Sequence, residues 1–252
     1  MTDFDLAVDL RPDHVAVVEW SRGPNNYFSA EVIAALADTL ERLAGKGARA
    51  AVLCSAGRQF CAGADFGSGR TALRLEELYG AGARLFDQPL PLVAAVQGAA
   101  VGGGLGLAMV ADFRVATPQT RFVANFAKLG LHHGFGLSVT LPAAIGHQHA
   151  ADLLYTGRSL RGAEALDIGL CDQLADAPDL RTAALERATT IAANAPLAVQ
   201  AIRATMRRER ARELRAAVTH ERSEQERLFG SSDFAEGVAA AQERRTALFR
   251  GQ

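Results

Sequence analysis

The chain has 252 residues, 49% of them hydrophobic, with a formal net charge of -1, which allows one sizeable core with a smaller appendage. That balance gives no field favouring nucleic acid or an anionic membrane, and no apolar run reaches the roughly 20 residues a bilayer span needs. Cys54, Cys61 and Cys171 form no Cys-x-x-Cys pair and the N-terminal Met1-Thr2-Asp3-Phe4-Asp5 has no apolar signal core, so the expected compartment is the reducing cytoplasm.

Val15 to Trp20 reads as a first strand, ended by the turn residues of Ser21-Arg22-Gly23-Pro24-Asn25-Asn26. Ser29 caps a helix from about Ala30 to Ala44, where Val32, Leu36, Leu40 and Leu43 recur at helical spacing, and Gly45 and Gly47 stop it. Arg49 to Cys54 is a second apolar strand, followed by the small-residue loop Ser55 to Gly67 and a helix from Thr71 to Phe86.

Pro91 to Val96 reads as a buried strand leading into Gln97-Gly98-Ala99-Ala100-Val101-Gly102-Gly103-Gly104. From about Gly103 the pattern turns helical, so unpaired N–H groups and a positive dipole end point at whatever lies in front. The glycine spacing does not fit the dinucleotide fingerprint, because Met109 or Leu107 falls at its third glycine position. The phosphate loop is also absent, and the only lysines are Lys46 and Lys128. A backbone oxyanion site is the reading that remains, with a second donor expected elsewhere in the chain.

Ala111 to Ala116 and Arg121 to Val123 then read as short strands, and Ser138 to Ile145, Gln148 to Tyr155 and Gly162 to Ile168 as short helices. Strands alternating with helices at this pitch indicate an α/β domain. From Pro178 the strand signal fades, and Leu180 to Asn194, Pro196 to about Leu228 and Asp233 to Arg250 read as helices rich in Ala, Arg and Glu. A boundary near residue 195 divides a core, 1–195, from a helical region, 196–252, expected to pack on a neighbouring subunit or back across its own domain.

Two glycine/alanine loops, each after a strand and about 40 residues apart, resemble the crotonase (enoyl-CoA hydratase/isomerase) superfamily. Phe60-Cys61-Ala62-Gly63-Ala64-Asp65 is similar to its Phe-x-Ala-Gly-Ala-Asp loop, and Val96 to Gly104 to its Val-x-Gly-x-x-x-Gly-Gly-Gly turn. Ala111 to Ala116, Phe122, Lys128-Leu129-Gly130-Leu131, Leu141-Pro142, Tyr155-Thr156-Gly157-Arg158, Ala163 to Leu170 and Ala195-Pro196-Leu197-Ala198 follow in family order. The resemblance implies an α/β spiral of ββα units with a C-terminal helical trimerisation region, a homotrimer or a dimer of trimers. It implies an acyl-CoA thioester as substrate, with coenzyme A part of that substrate and no separate cofactor or metal. By position it implies that the Ala64 and Gly103 amides form an oxyanion hole for a thioester enolate.

The pattern departs from the family at its acids. The two hydratase glutamates belong at Gly106 and Phe126, and the acid of certain isomerases at Gly134, so two-glutamate hydration is not expected. His132 and His133, in a glycine-flanked loop beside the acyl pocket, are the candidate replacements because imidazole titrates near neutral pH. Asn125 is a candidate for holding a substrate oxygen or a water. Ala62, Gly63, Asp65, Phe66 and Gly102 are expected around the ligand, with Asp65 a loop brace or coenzyme contact. Phe126, Phe135 and Gly106 are expected to shape an apolar pocket, the missing side chain at Gly106 making room for a bulky acyl group.

Arg22 and the segment around Phe249 are candidate coenzyme contacts. Glu76, Glu77 and the arginines of 203–212 read as solvated faces, Tyr155 as structural and Cys61 as a small loop residue. His147 and His149 do not share a helix face, so no metal is expected. The alternative to an enzyme is a non-catalytic acyl-CoA binder that kept the hole. A serine peptidase on the same spiral is disfavoured, since Leu105 and Gly106 stand where its nucleophile would be.

Overall fold

A computed structural model describes residues 3–64 and 74–252. Two sheets run through it. The larger has the order β1 (Asp5–Leu10), β2 (Val15–Ser21), β3 (Ala50–Ser55), β4 (Leu92–Val96), β6 (Phe113–Ala116) and β9 (Gln173–Leu174), parallel except for the β1–β2 hairpin. The smaller sets β5 (Ala99–Val101) parallel to β7 (Arg121–Val123), and β7 antiparallel to β8 (Ser159–Arg161).

Four strands of the large sheet, β2, β3, β4 and β6, are each followed by a short extended piece and then by a helix. After β4 come β5 and α3 (Gly103–Val110); after β6 come β7 and α4 (Leu137–Thr156). The same step follows β2, where Phe28 bridges to Ala64 before α1 (Ala30–Gly45), and β3, where Cys61 bridges to Ala100 before α2 (Leu75–Asp87). This repetition is the spiral of ββα turns that the motifs imply.

Alternation along the parallel strands sends their side chains to two cores. Ala16, Val18, Trp20, Leu53, Ala94 and Val96 face the helices of the spiral. Val15, Val52, Cys54, Val93, Ala95 and Val115 face α6 (Leu180–Ala192), which offers Leu180, Ala183, Ala184, Ala188 and Ala192. Every residue of α3 is buried, as a helix apolar on all sides requires.

The structure corrects several boundaries. β1 carries no expected strand signal, because it is an edge strand with Asp5 and Asp9 in it and most of its residues exposed. The two helices expected between 138 and 155 are present as the two arms of α4, separated at Gly146, whose φ of +77 and ψ of 159 are not helical. The last helix, α8 (Ser232–Glu243), stops well short of Arg250. Arg244 is left-handed at its end, and the tail folds back so that the Arg250 and Gly251 amides donate to the Asp233 carboxylate at 2.7 and 2.8 Å. The long α7 (Pro196–Phe229) begins next to the boundary drawn at 195 and packs along α2 and α4.

Candidate active site

The glycine cluster does at close range what its composition suggests. Gly102, with φ +55, turns the chain and donates its amide to the Val123 carbonyl at 2.8 Å, which leaves Gly103 as the first residue of α3. A Cβ on Gly103 would collide with the Phe28 ring, and one on Gly104 with the Cys61 backbone. Gly63, at φ +87, brings the first loop against the second: a Cβ there would lie 2.8 Å from the Val101 carbonyl oxygen and 3.9 Å from the Gly103 nitrogen. Only glycine permits this approach. Among the described residues, neither the Ala64 amide nor the Gly103 amide has an acceptor within the chain.

Both residues line one cavity of about 330 Å³. Ala62, Gly63 and Gly102 stand beside them, with Asn125, Phe126, Gly134 and Phe135 around the wall. The rest of the lining is mainly apolar, from Phe28, Leu75, Leu78, Val101, Leu131, Phe229 and Val238. Its polar groups are Tyr27, Tyr79, Asn125, Gln225 and Gln242; among the described residues no carboxylate, imidazole or amine lines it.

Tyr79 and Gln225 escaped sequence reasoning. The Tyr79 hydroxyl donates to Gln225 Oε1 at 3.1 Å, and Gln225 Nε2 donates to the His132 carbonyl at 3.0 Å. Burial, with Glu221 nearby, pushes the Tyr79 phenol far above its ordinary range, so it stays protonated. Tyr79 follows Leu75 and Leu78 at helical spacing, a readable sign of a buried face. Gln225 sits in an Arg- and Glu-rich helix and gives no such sign.

Other expected site residues lie elsewhere. His132 and His133 stack on each other, centroids 4.1 Å apart, with His220 edge-on to His132 at 5.7 Å, and neither candidate imidazole lines the cavity. His133 hydrogen-bonds Ser138 Oγ at 2.8 Å. Burial, then the neighbouring His132 and His220, pushes it down to about 4, leaving it neutral near pH 7. Gly106 does not line the cavity either: a Cβ on it would fall 2.6 Å from Phe135 Cβ. The expected room for a bulky acyl group there is filled by Phe135.

Arg22 is held by Asp3 at 2.6 Å and by the Tyr27 carbonyl at 3.2 Å, outside the lining. Phe249 lines an adjoining cavity with Lys128 and Arg245 that shares Asn125, Leu129 and Ala241 with the first. Asp65 and Phe66 fall outside the described residues. Glu76 and Glu77 are exposed, Glu77 pairing with Arg74. Tyr155, read as structural, is 81% exposed and packs in no core. Cys61 is fully buried and its thiol is pushed up to about 12 by burial, consistent with an unreactive loop residue. No metal-binding group of three or more His, Cys, Asp or Glu occurs among the described residues.

The family model described as enoyl-CoA hydratase/isomerase matches residues 11–252. The chain is 32% identical over 267 residues to the enoyl-CoA hydratase EchA19 of Mycobacterium tuberculosis, covering 98% of this chain and 97% of that one. It is 31% identical to a crystal structure of an enoyl-CoA hydratase/isomerase from Pseudoalteromonas atlantica, with a TM-score of 0.88 over 97% of this chain and 99% of that one. An enoyl-CoA hydratase structure from Mycobacterium avium subsp. paratuberculosis gives 30% identity and a TM-score of 0.85 over 97% and 98% of the two chains. With its spiral, its paired glycine loops and a match along nearly its whole length, the chain belongs to the enoyl-CoA hydratase/isomerase family.

Proposed function

We propose that the protein is an acyl-CoA enzyme that holds the thioester oxygen of its substrate between the Ala64 and Gly103 amides. It thereby stabilises the enolate that forms when an α-proton leaves or a nucleophile adds at the β-carbon. The observation that carries this reading is that two amides without an internal acceptor, brought in by separate loops, border one largely apolar cavity. Such donors act most strongly where water is excluded, and the positive end of α3 adds to them. Gly106 and Phe126 cannot activate water, so the reaction does not follow the two-glutamate route. Coenzyme A enters as part of the substrate, and no other cofactor is required.

The same reading includes self-association into a trimer or a dimer of trimers, supported by the apolar side chains that α7 leaves exposed. Residence in the cytoplasm is supported by three free, buried cysteines and by the lack, among the described residues, of any helix long and apolar enough to cross a membrane.

Ala64→Pro removes one amide hydrogen. If the variant keeps its thermal transition, kcat on the best enoyl-CoA should fall by about 10²–10³ while acyl-CoA affinity changes far less. An unchanged kcat refutes the oxyanion assignment. Tight binding of acyl-CoA by the wild type with no turnover of any enoyl-CoA would favour the non-catalytic binder, which the scarcity of acid and base groups among the described residues of the lining also fits.

A further inference from the structure

One aromatic residue of the cavity wall, Phe135, has a backbone conformation that its side chain disfavours. Phe135 has φ +58, a left-handed value that a bulky residue keeps only where its surroundings hold it. Its Cβ and ring edge cover the bare α-carbon of Gly106, and on another side a Cβ on Gly82 would lie 3.3 Å from Phe135 Cε2. The Phe28 ring lies 5.6 Å away and the Phe86 ring 6.1 Å, centroid to centroid. Two glycines and two aromatic rings form its socket.

The ring stands between two spaces. On one side is the cavity bordered by Ala64 and Gly103. On the other is a second, much smaller cavity of about 30 Å³, whose lining includes Phe86, Met109 and Leu214 together with Asp87, Arg207 and Arg210. Phe135 lines only the first and Phe86 only the second, so the two rings make a partition two side chains thick. Gly106 follows Gly103 by three residues, which puts the partition roughly 4.5 Å along α3 from the Gly103 amide.

We propose that Phe135, backed by Phe86, is the specificity-determining residue for acyl length, so that the site takes short, compact acyl groups and excludes chains that reach the partition. The inference rests on the reading of this cavity as the acyl-CoA site. Each added methylene that finds an apolar space raises affinity roughly fourfold, whereas one driven into a ring so enclosed finds none.

The test is calorimetric titration with acetyl-, butyryl-, hexanoyl-, octanoyl- and decanoyl-CoA. Wild-type affinity should peak among the shorter chains and fall by about tenfold or more by decanoyl-CoA. Phe135→Gly suits the positive φ and removes the ring that faces the acyl cavity, lengthening that cavity up to Phe86, so its decanoyl-to-butyryl affinity ratio should rise by at least about tenfold. Phe86→Ala lets the Phe135 ring retreat and should shift the ratio the same way, by less; it carries the test if the first variant does not fold. A wild-type affinity that keeps climbing to decanoyl-CoA, or a folded variant with the wild-type length profile, overturns the proposal. Failure of the wild type to bind any acyl-CoA overturns the site assignment and this inference with it, whereas the length profile bears on the inference alone.

Discussion

The space above Gly106 is taken by Phe135, that above Gly134 by the Tyr79 hydroxyl and the Gln225 amide, and Phe126 presents a ring to the cavity. The three positions where acids are expected in the family are therefore rebuilt, each with its own filling, rather than left empty. The histidines of the same loop serve its packing: stacked, hydrogen-bonded and outside the cavity. His132→Ala and His133→Ala should each keep kcat to within about tenfold, whereas loss of a general acid or base costs roughly 10²–10⁴; a larger loss in either would return the histidines to the chemistry. His133 has its own signature in stability. Its pKa of about 4 in the fold lies below the roughly 6.5 of an unfolded histidine. As pH falls from about 6.5 to 4 the unfolded chain binds a proton that the folded chain refuses, and stability drops. His133→Gln should flatten that acid limb by on the order of 2 kcal/mol in urea titrations across the window; an equal slope in both proteins contradicts the assignment.

Among the elements, α7 does the least expected work. Glu221 and Gln225 are one helical turn apart and face the loop at 131–138. The Glu221 carboxylate, fully buried, accepts from the Gly136 amide at 2.8 Å and the Ser138 amide at 2.9 Å, capping α4 from another helix. Burial pushes its carboxyl up, and the two backbone donors pull part of the way back. This clamp keeps Phe135 and Gly136 in their left-handed conformations beside the cavity. Glu221→Ala leaves the buried Gly136 amide and the part-buried Ser138 amide unpaired and should cost about 2–6 kcal/mol in denaturant unfolding, at roughly 1–3 for each unsatisfied group. A loss below about 0.5 kcal/mol, the scale of an inert surface change, would show that the loop holds itself. In its N-terminal half the helix meets the body through charge instead, Arg203 and Arg207 each reaching Asp112 at 2.9 Å and donating to the Gln88 and Val110 carbonyls, and the arginines and glutamates conceal the buried face from a periodicity search. The strand β1 is hidden for a related reason, since an exposed edge needs no apolar alternation.

At the scale of the molecule, the first half of α7 leaves Leu197, Ile202 and Met206 at 80%, 62% and 77% exposure. Ile202 and Met206, one turn apart, share a face of the helix, whereas Leu197 lies on the opposite side; exposed apolar side chains paired in this way are a poor surface for an isolated chain and fit self-association. The double variant Ile202→Glu, Met206→Glu should convert the assembly to a smaller species in light scattering, with the fold intact; a wild type that is already monomeric at micromolar concentration would refute the oligomer. Much else was legible beforehand. The strands of the core, α1, the glycine-opened helix and the two loops follow from hydrophobic spacing and from glycines whose close approaches no other residue permits, whereas the spiral and the pairing of Ala64 with Gly103 at one cavity were legible only through the order of motifs that resembles the crotonase superfamily. What surrounds that cavity was decided only in three dimensions. Tyr79 and Gln225 are 146 residues apart in sequence, and whether the bare carbon at Gly106 is a pocket or a socket depends on which distant side chain fills it. Local spacing records how a segment folds on itself, whereas occupancy of a shared space depends on the packing of all the segments around it.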